Sequence, residues 1–151
     1  MKLYLMQHGE AKSEEEDPER HLTDKGKKEV DAVAARLEKS GISPALIIHS
    51  GKARARETAE ISGKRLNPKE GIKESENLKP MDDPKKIKEI IEKRDNDLMV
   101  VGHLPHLSKL CSLLLAGDEE KELVQFRMGG VVCLERKEGW HLKWFIVPEL
   151  L

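Results

Sequence analysis

The chain has 151 residues, a formal net charge of −1, and 36% charged, 38% hydrophobic and 3% aromatic residues. This length fits a single domain, 1–151, which can bury roughly two-thirds of the surface of the unfolded chain. The balanced charge gives no reason to expect a nucleic-acid or membrane-surface partner, and so few aromatic residues exclude a surface for base stacking.

Three features of the sequence concern the compartment. No apolar run approaches the ~20 residues needed to span a bilayer, and the N-terminus has no signal-peptide pattern. The only cysteines, Cys111 and Cys133, lie in apolar runs, and we expect reduced core thiols rather than a disulfide or a metal-binding pair. These features predict a cytoplasmic protein.

The hydrophobic pattern predicts strands that alternate with helices. In chain order we expect a strand at 2–7, a charged loop at 13–20, a helix from Thr23 or Asp24 to Gly41, a strand at 45–50, a helix at 52–66, a helix at 83–93, a strand at 98–103, a helix at 106–117 and a hairpin at 130–148. Such alternation implies right-handed βαβ crossovers. We therefore predict a three-layer α/β/α fold whose sheet is mostly parallel, with an antiparallel C-terminal edge.

Polar residues follow three of the predicted strands at the point where each strand ends. The ends read Gln7-His8-Gly9, His49-Ser50-Gly51 and Gly102-His103. Because the carboxyl ends of parallel strands share one edge of a sheet, where open α/β proteins bind ligands, we expect His8 and His103 to approach each other.

Arginines also fall near this edge. In "HSGKARARETAE", Arg54 lies in the first turns of a helix, where free N–H groups and the helix dipole favour anions. Its guanidinium adds bidentate phosphate geometry. Arg56 lies on the opposite face and is interpreted as part of a solvated basic surface. Arg20 lies in a loop that can fold back over the same edge of the sheet.

The stretches "MQHGEA", "LTDKG", "HSGKARARETA" and "VVGHLPHLS", in this order, resemble the signature of the histidine phosphatase superfamily. The small size and the Glu10-Ala11 pair resemble its SixA-type phosphohistidine phosphatases. The resemblance implies a phosphoglycerate mutase-like fold, a nucleophilic His8, a phosphate-binding Arg54, a second phosphate-contacting histidine at His103 and a supporting Arg20. It implies no cofactor, and we expect a monomer or a weak dimer.

One position departs from the family pattern. An arginine usually precedes the nucleophilic histidine, but this chain has Gln7. Its amide can donate one neutral hydrogen bond to a phosphoryl oxygen and brings no charge. Loss of a charge-assisted bond could cost about 2–4 kcal/mol of transition-state stabilisation. A weakly active phospho-binding module therefore remains an alternative.

The chemistry implied is phosphoryl transfer in two steps: neutral His8 takes the phosphoryl group, and water then releases it. Arg54, Arg20 and a protonated His103 would neutralise the phosphoryl oxygens. The carboxylates that could act as a general acid are Glu74, Glu76, Asp82 and Asp83. Asp83 is better explained as a helix cap, and we assign the role to none of them.

The same histidines could instead form a metal site with Glu10 and His49. No helical HxxxH or close Cys/His pair supports that alternative, and arginines beside a cation would be costly, so we predict a metal-independent phosphatase. The short loop and the absence of an inserted lid predict an open site that admits a phosphorylated protein, such as a phosphotransfer domain or carrier protein. A small-molecule phosphomonoester phosphatase is the alternative.

Overall fold

The computed structural model of the protein describes residues 1–151. Its elements are β1 (Lys2–Gln7), α1 (Asp24–Lys39), β2 (Leu46–His49), α2 (Ala53–Leu66), β3 (Ile72–Glu74), α3 (Pro84–Glu92), β4 (Leu98–Gly102), α4 (His106–Ala116), β5 (Val131–Arg136), β6 (Trp140–Ile146) and a 3₁₀ turn (Pro148–Leu150). All the predicted strands and helices are present, with ends that differ by a few residues. The short strand β3 was not predicted.

The six strands form one mixed sheet in the order β3-β2-β4-β1-β5-β6. β1, β2, β3 and β4 are mutually parallel, whereas β5 is antiparallel to both β1 and β6. This confirms the predicted mostly parallel sheet with an antiparallel C-terminal edge. The four helices cover its two faces, which confirms the three-layer architecture.

Alternate residues of the central strands pack into two separate cores, because successive side chains of a strand point to opposite faces. Leu3 and Leu5 of β1 pack with residues of α3 and α4, whereas Tyr4 and Met6 pack with residues of α1 and α2. Full burial of each such side chain stabilises the fold by about 1.5–3 kcal/mol. The central strand therefore joins both layers of helices.

The two cysteines lie in different cores. Cys111 belongs to the core beneath α3 and α4, and Cys133 to the core beneath α1 and α2. Both are free and buried, and burial raises the pKa of the Cys111 thiol to about 12 and that of Cys133 to about 11. The prediction of two core thiols is confirmed.

Side-chain caps begin two of the helices. Thr23 Oγ1 accepts the Gly26 amide hydrogen at 2.9 Å, which makes Thr23 the cap of α1. Asp83 Oδ1 accepts from the Lys85 amide at 3.0 Å at the start of α3. Asp83 is thus a cap, as predicted from its place before Pro84. None of the helices is long and apolar enough to traverse a lipid bilayer.

Candidate active site

Two histidines meet at the carboxyl edge of the sheet. β1 and β4 are neighbours in which Gln7 is in register with Gly102, and the His8 amide donates to Gly102 O at 3.1 Å. The residues that follow each strand are therefore adjacent. The His8 and His103 ring centroids are 5.2 Å apart, which confirms the expected approach.

His8 is buried, and one of its ring nitrogens is fixed by the backbone. Nδ1 lies 2.7 Å from Gly9 O, and because a carbonyl can only accept, Nδ1 carries the hydrogen. The Nε2 lone pair is then free. The pKa of His8 is lowered to about 4, mainly by burial and also by the positive charges of Arg54 and Arg20, while the Gly9 hydrogen bond opposes the shift. His8 is therefore neutral at pH 7.

His103 is held by a serine. Its Nε2 is 2.6 Å from Ser50 Oγ, and that oxygen also accepts the Lys52 amide hydrogen at 3.3 Å. The Ser50 hydroxyl can donate to Nε2, and in that arrangement the ring hydrogen lies on Nδ1. Nδ1 is buried and has no hydrogen-bond partner, so its hydrogen can be donated to a ligand.

The protonation of His103 differs from the expectation. Its pKa is lowered to about 3, mainly by burial and also by the charges of His8 and Arg54. In the ligand-free protein His103 is therefore a neutral donor rather than a cation. The contact of Ser50 with His103 was not predicted. Its place directly after the second strand, at the same edge of the sheet as His103, was the signal in the sequence.

Arg54 and Arg20 line one cavity of about 500 Å³. Arg54 is half-buried, and its buried Nε has no hydrogen-bond partner. Burial and then the charge of Arg20 lower the pKa of Arg54, which places the two guanidinium groups near each other. Arg20 has a φ of 55°, and its Nε donates to Lys12 O at 3.0 Å.

The same cavity is also lined by Arg56, contrary to the helical-spacing argument. Its side chain lies along the start of α2, where Nη1 is 3.5 Å from Gly51 O and Nε is 3.8 Å from Glu60 Oε1. A long, flexible side chain at the rim can reach a cavity that its Cα–Cβ direction does not face.

Gln7 is the last residue of β1 and is 9% exposed. Its Oε1 is buried without a hydrogen-bond partner. A buried amide oxygen left in this state costs about 1–3 kcal/mol. Gln7 is therefore a buried polar group directly before His8.

Helix α2 binds both ends of the segment between β1 and α1. Thr58 is fully buried, and its Oγ1 accepts the Gly9 amide hydrogen at 3.0 Å and donates to Arg54 O at 2.7 Å. Glu57 Oε1 accepts the Leu22 amide hydrogen at 2.8 Å. Thr58 was not among the predicted site residues, although a polar residue at a core-facing position of a helix is a signal for such a role.

The side chains of the alternative metal site do not converge. Glu10 Oε2 accepts from the Thr23 hydroxyl at 2.6 Å, and His49 Nδ1 accepts the Gly51 amide hydrogen at 3.0 Å. No group of three or more His, Cys, Asp or Glu side chains is placed to hold a metal ion. Glu10 instead helps to join the loop after β1 to α1, where a Cβ on Gly26 would overlap Glu10 O.

The four carboxylates considered as a general acid have different surroundings. Glu74 packs on Gly51, where an added Cβ would lie 2.6 Å from Glu74 Cδ. Asp82 Oδ2 accepts the Lys79 amide hydrogen at 2.9 Å, Asp83 caps α3, and Glu76 is exposed. None of these four lines the cavity; its carboxylates are Glu14 and Glu19.

Solved structures share this fold over almost the whole chain. The structure of the protein histidine phosphatase SixA complexed with tungstate matches with a TM-score of 0.87 and 23% identity over 99% of each chain. An Agrobacterium tumefaciens protein assigned as a SixA phosphohistidine phosphatase matches with a TM-score of 0.81 and 23% identity over 97% of each chain. The alpha-ribazole phosphatase from Shigella flexneri matches with a TM-score of 0.76 and 15% identity over 95% of each chain.

The sequence matches a family model, although it matches none of the curated proteins with which it was compared. The model of the histidine phosphatase superfamily (branch 1) matches residues 3–82, which is more than half of the chain. This segment contains His8, Arg20 and Arg54, and the fold places the ring of His103 beside that of His8. The chain therefore belongs to the histidine phosphatase superfamily, and its fold is that of the SixA-type phosphohistidine phosphatases.

Proposed function

We propose that the protein is a phosphohistidine phosphatase that removes the phosphoryl group from a phosphorylated protein side chain. The observation that carries this proposal is the state of His8. Its ring is buried and neutral, its Nδ1 is held by Gly9 O, and its Nε2 is free, while the charges of Arg54 and Arg20 act on the ring. A fixed, neutral imidazole near two arginines suits nucleophilic attack on phosphorus.

In the first step, the Nε2 lone pair of His8 forms a bond to phosphorus in line with the bond that breaks. The leaving nitrogen keeps the electron pair of the P–N bond and departs as neutral imidazole when its other ring nitrogen carries a proton. This leaving group needs no general acid, so the step makes no use of the four candidate carboxylates. His8 becomes a phosphoimidazolium whose Nδ1 keeps its hydrogen and donates it in a hydrogen bond to Gly9 O.

In the second step, water attacks phosphorus and the bond to His8 Nε2 breaks. The ring recovers its lone pair, and the proton lost by water leaves with inorganic phosphate. Arg54 and Arg20 neutralise the phosphoryl oxygens, and His103 donates its Nδ1 hydrogen. The bound dianion raises the pKa of both histidines because opposite charge favours the protonated form.

The proposed substrate follows from the openness of the site. The loop at 13–20 is short, and the chain has no inserted segment that would enclose a small sugar phosphate. A phosphotransfer domain or carrier protein could present its phosphohistidine to such a cavity. Two free, buried thiols fit a reducing compartment, and we propose that the protein acts in the cytoplasm.

Two alternatives remain as outcomes of the test. A phosphatase of small phosphomonoesters is favoured by the fold similarity to the alpha-ribazole phosphatase from Shigella flexneri. A weakly active phospho-binding module is favoured by Gln7. A panel with a phosphohistidine protein, p-nitrophenyl phosphate and sugar phosphates separates them. The proposal requires the phosphohistidine protein to give the highest kcat/KM. If a sugar phosphate gives the highest kcat/KM instead, the result favours a phosphatase of small phosphomonoesters.

Trapping of the intermediate tests the mechanism. Labelled phosphodonor should leave an acid-labile, base-stable label on the wild-type protein and on the His141→Ala control, which removes an exposed histidine of β6. His8→Ala should abolish the label while the protein stays folded. Tight phosphate binding by the wild-type protein without label or turnover would favour the binding module.

Metal independence is tested on the same preparation. The proposed chemistry uses arginines and histidines as the charge-neutralising groups, so EDTA should leave kcat/KM unchanged. Activity that disappears with EDTA and returns with Zn²⁺ or Mg²⁺ would contradict this part of the proposal.

A further inference from the structure

The cavity formed by Arg20 and Arg54, whose charges act on His8, is also lined by a carboxylate that the proposed chemistry does not use. Glu14 lines it together with Arg20 and Arg54. The charge of Glu14 raises the pKa of Arg54 against the lowering by burial and by Arg20. Glu14 forms no salt bridge. Glu14 is exposed, so its carboxylate meets both the solvent and whatever occupies the cavity.

The charges of the cavity are matched to one phosphoryl group. Its cationic side chains are Arg20, Lys52, Arg54 and Arg56, and its carboxylates are Glu14 and Glu19. The net charge is two positive, which offsets a phosphoryl dianion. Glu19 also contacts His21 Nε2 at 3.3 Å, so Glu14 is the carboxylate without a salt-bridge partner.

Glu14 is carried by a loop whose backbone is held from several sides. Asp17 N–H donates to Ser13 O, and Arg20 N–H donates to Asp17 O, both at 2.9 Å. The Asp17 carboxylate accepts the His21 amide hydrogen at 3.0 Å and contacts His21 Nδ1 at 2.7 Å. The position of Glu14 at the wall is therefore set by the loop.

We infer that Glu14 determines specificity: it disfavours substrates that carry a second anionic group beside the phosphoryl group, and it favours a phosphorylated residue with cationic neighbours. The inference rests on the proposed function, because it concerns which phosphorylated side chains enter that site. A like charge within several ångströms at the rim, with an effective dielectric between those of protein and water, changes affinity by about tenfold.

A pair of small ligands tests the inference without turnover. Methylphosphonate carries one phosphonate, and phosphonoacetate carries a phosphonate and a carboxylate. Their Kd values are measured for the wild-type protein, for Glu14→Gln and for the control Glu15→Gln, which changes the same charge on an exposed neighbour that does not line the cavity. Glu14→Gln should lower the Kd of phosphonoacetate relative to that of methylphosphonate by about tenfold at low salt, and by less at high salt.

A second measurement uses phosphohistidine peptides that have lysine or glutamate beside the phosphorylated residue. The wild-type protein should show a lower KM for the lysine peptide, and Glu14→Gln should reduce that preference. An unchanged ligand ratio in Glu14→Gln, or an equal change in Glu15→Gln, would overturn the inference. If no phosphohistidine peptide is hydrolysed, the proposed function fails, and the Kd ratio still decides the role of Glu14.

Discussion

The tautomer of His8 is decided by a backbone carbonyl only one residue away. Gly9 O fixes Nδ1 as the donor, and burial keeps the ring neutral. His103 is fixed in the opposite sense, because Ser50 occupies its Nε2 and leaves Nδ1 for a ligand. Two adjacent rings of the same residue type thus differ in the nitrogen that is left without a protein partner, which is Nε2 in His8 and Nδ1 in His103.

Arg54→Ala should lower kcat/KM by about a hundredfold or more, because a bidentate charge-assisted contact to the phosphoryl oxygens is lost. Arg65→Ala is the matched control, since Arg65 lies at the other end of α2 and pairs with Asp31 at 2.9 Å. Both variants are assayed with p-nitrophenyl phosphate and melted to verify folding. An Arg54→Ala variant with the kcat/KM of the control would remove Arg54 from the site.

Gln7→Arg should give no gain in kcat/KM. Arg54 already has a lowered pKa beside Arg20, and a further guanidinium at a position 9% exposed would be desolvated without a carboxylate partner. Gln125→Arg adds the same charge at an exposed position and serves as the control. A gain of about tenfold or more, the size of a restored charge-assisted bond, would instead identify an attenuated phosphatase.

At the level of elements, α2 joins the parts of the site that come from distant segments. It presents Arg54 to the cavity, binds the amide of Gly9 through Thr58 and binds the amide of Leu22 through Glu57. Its far end pairs with α1 through Arg65 and Asp31. A shift of this one helix would move both the arginine and the loop that follows His8.

Thr58→Val keeps the shape of the side chain and removes the hydroxyl group. The Gly9 amide would then be buried without a partner, and we expect a loss of about 1–3 kcal/mol in the free energy of unfolding together with a lower kcat/KM. Urea unfolding and steady-state kinetics measure the two effects. Ser62→Ala, a buried position of the same helix, is the control for simple loss of a hydroxyl, and equal effects in both variants would contradict the role of Thr58.

The prediction of elements from the sequence failed only where pairing decides the structure. The caps at Thr23 and Asp83 and the buried strands have local signals and were predicted. β3 is three residues long and partly exposed, so it has no hydrophobic period, and it is a strand because it pairs with β2. The hydrogen bond between Thr58 and Gly9 also joins residues far apart along the chain, so the polar residue on the core-facing side of α2 did not by itself indicate its partner.

On the scale of the whole molecule, burial lowers the pKa of four of the six histidines: His8, His49, His103 and His106. In the unfolded chain these histidines bind protons near pH 6.5, whereas in the folded protein they stay neutral until the pH is lower. The part of the folding free energy that depends on their neutral state is therefore complete above pH 6.5. It is lost as the pH falls toward 4 and 3, the pKa values of His8 and His103. Each pKa unit corresponds to about 1.4 kcal/mol.

The urea midpoint of the wild-type protein should therefore fall between pH 7 and pH 5, a window above the ordinary pKa values of carboxylates. The double variant His8→Asn/His103→Gln should lose less stability over this window, and the exposed control His141→Gln should behave as the wild-type protein. Equal pH dependence in the double variant would show that these two rings do not carry the effect.

The strand order has a consequence for biosynthesis. β1 hydrogen-bonds only to β4 and β5, and β2 is separated from it by β4, so the segment before Leu98 holds three strands of which β1 has no neighbour. At about 5–20 residues per second, a ribosome needs roughly 5–20 s to pass from His8 to His103. Nascent chains stalled before β4 should leave the first strand open to protease, and chains extended beyond β5 should protect it. His8 is therefore made well before the strand that brings His103 to it, and the site is assembled only after β4 pairs with β1.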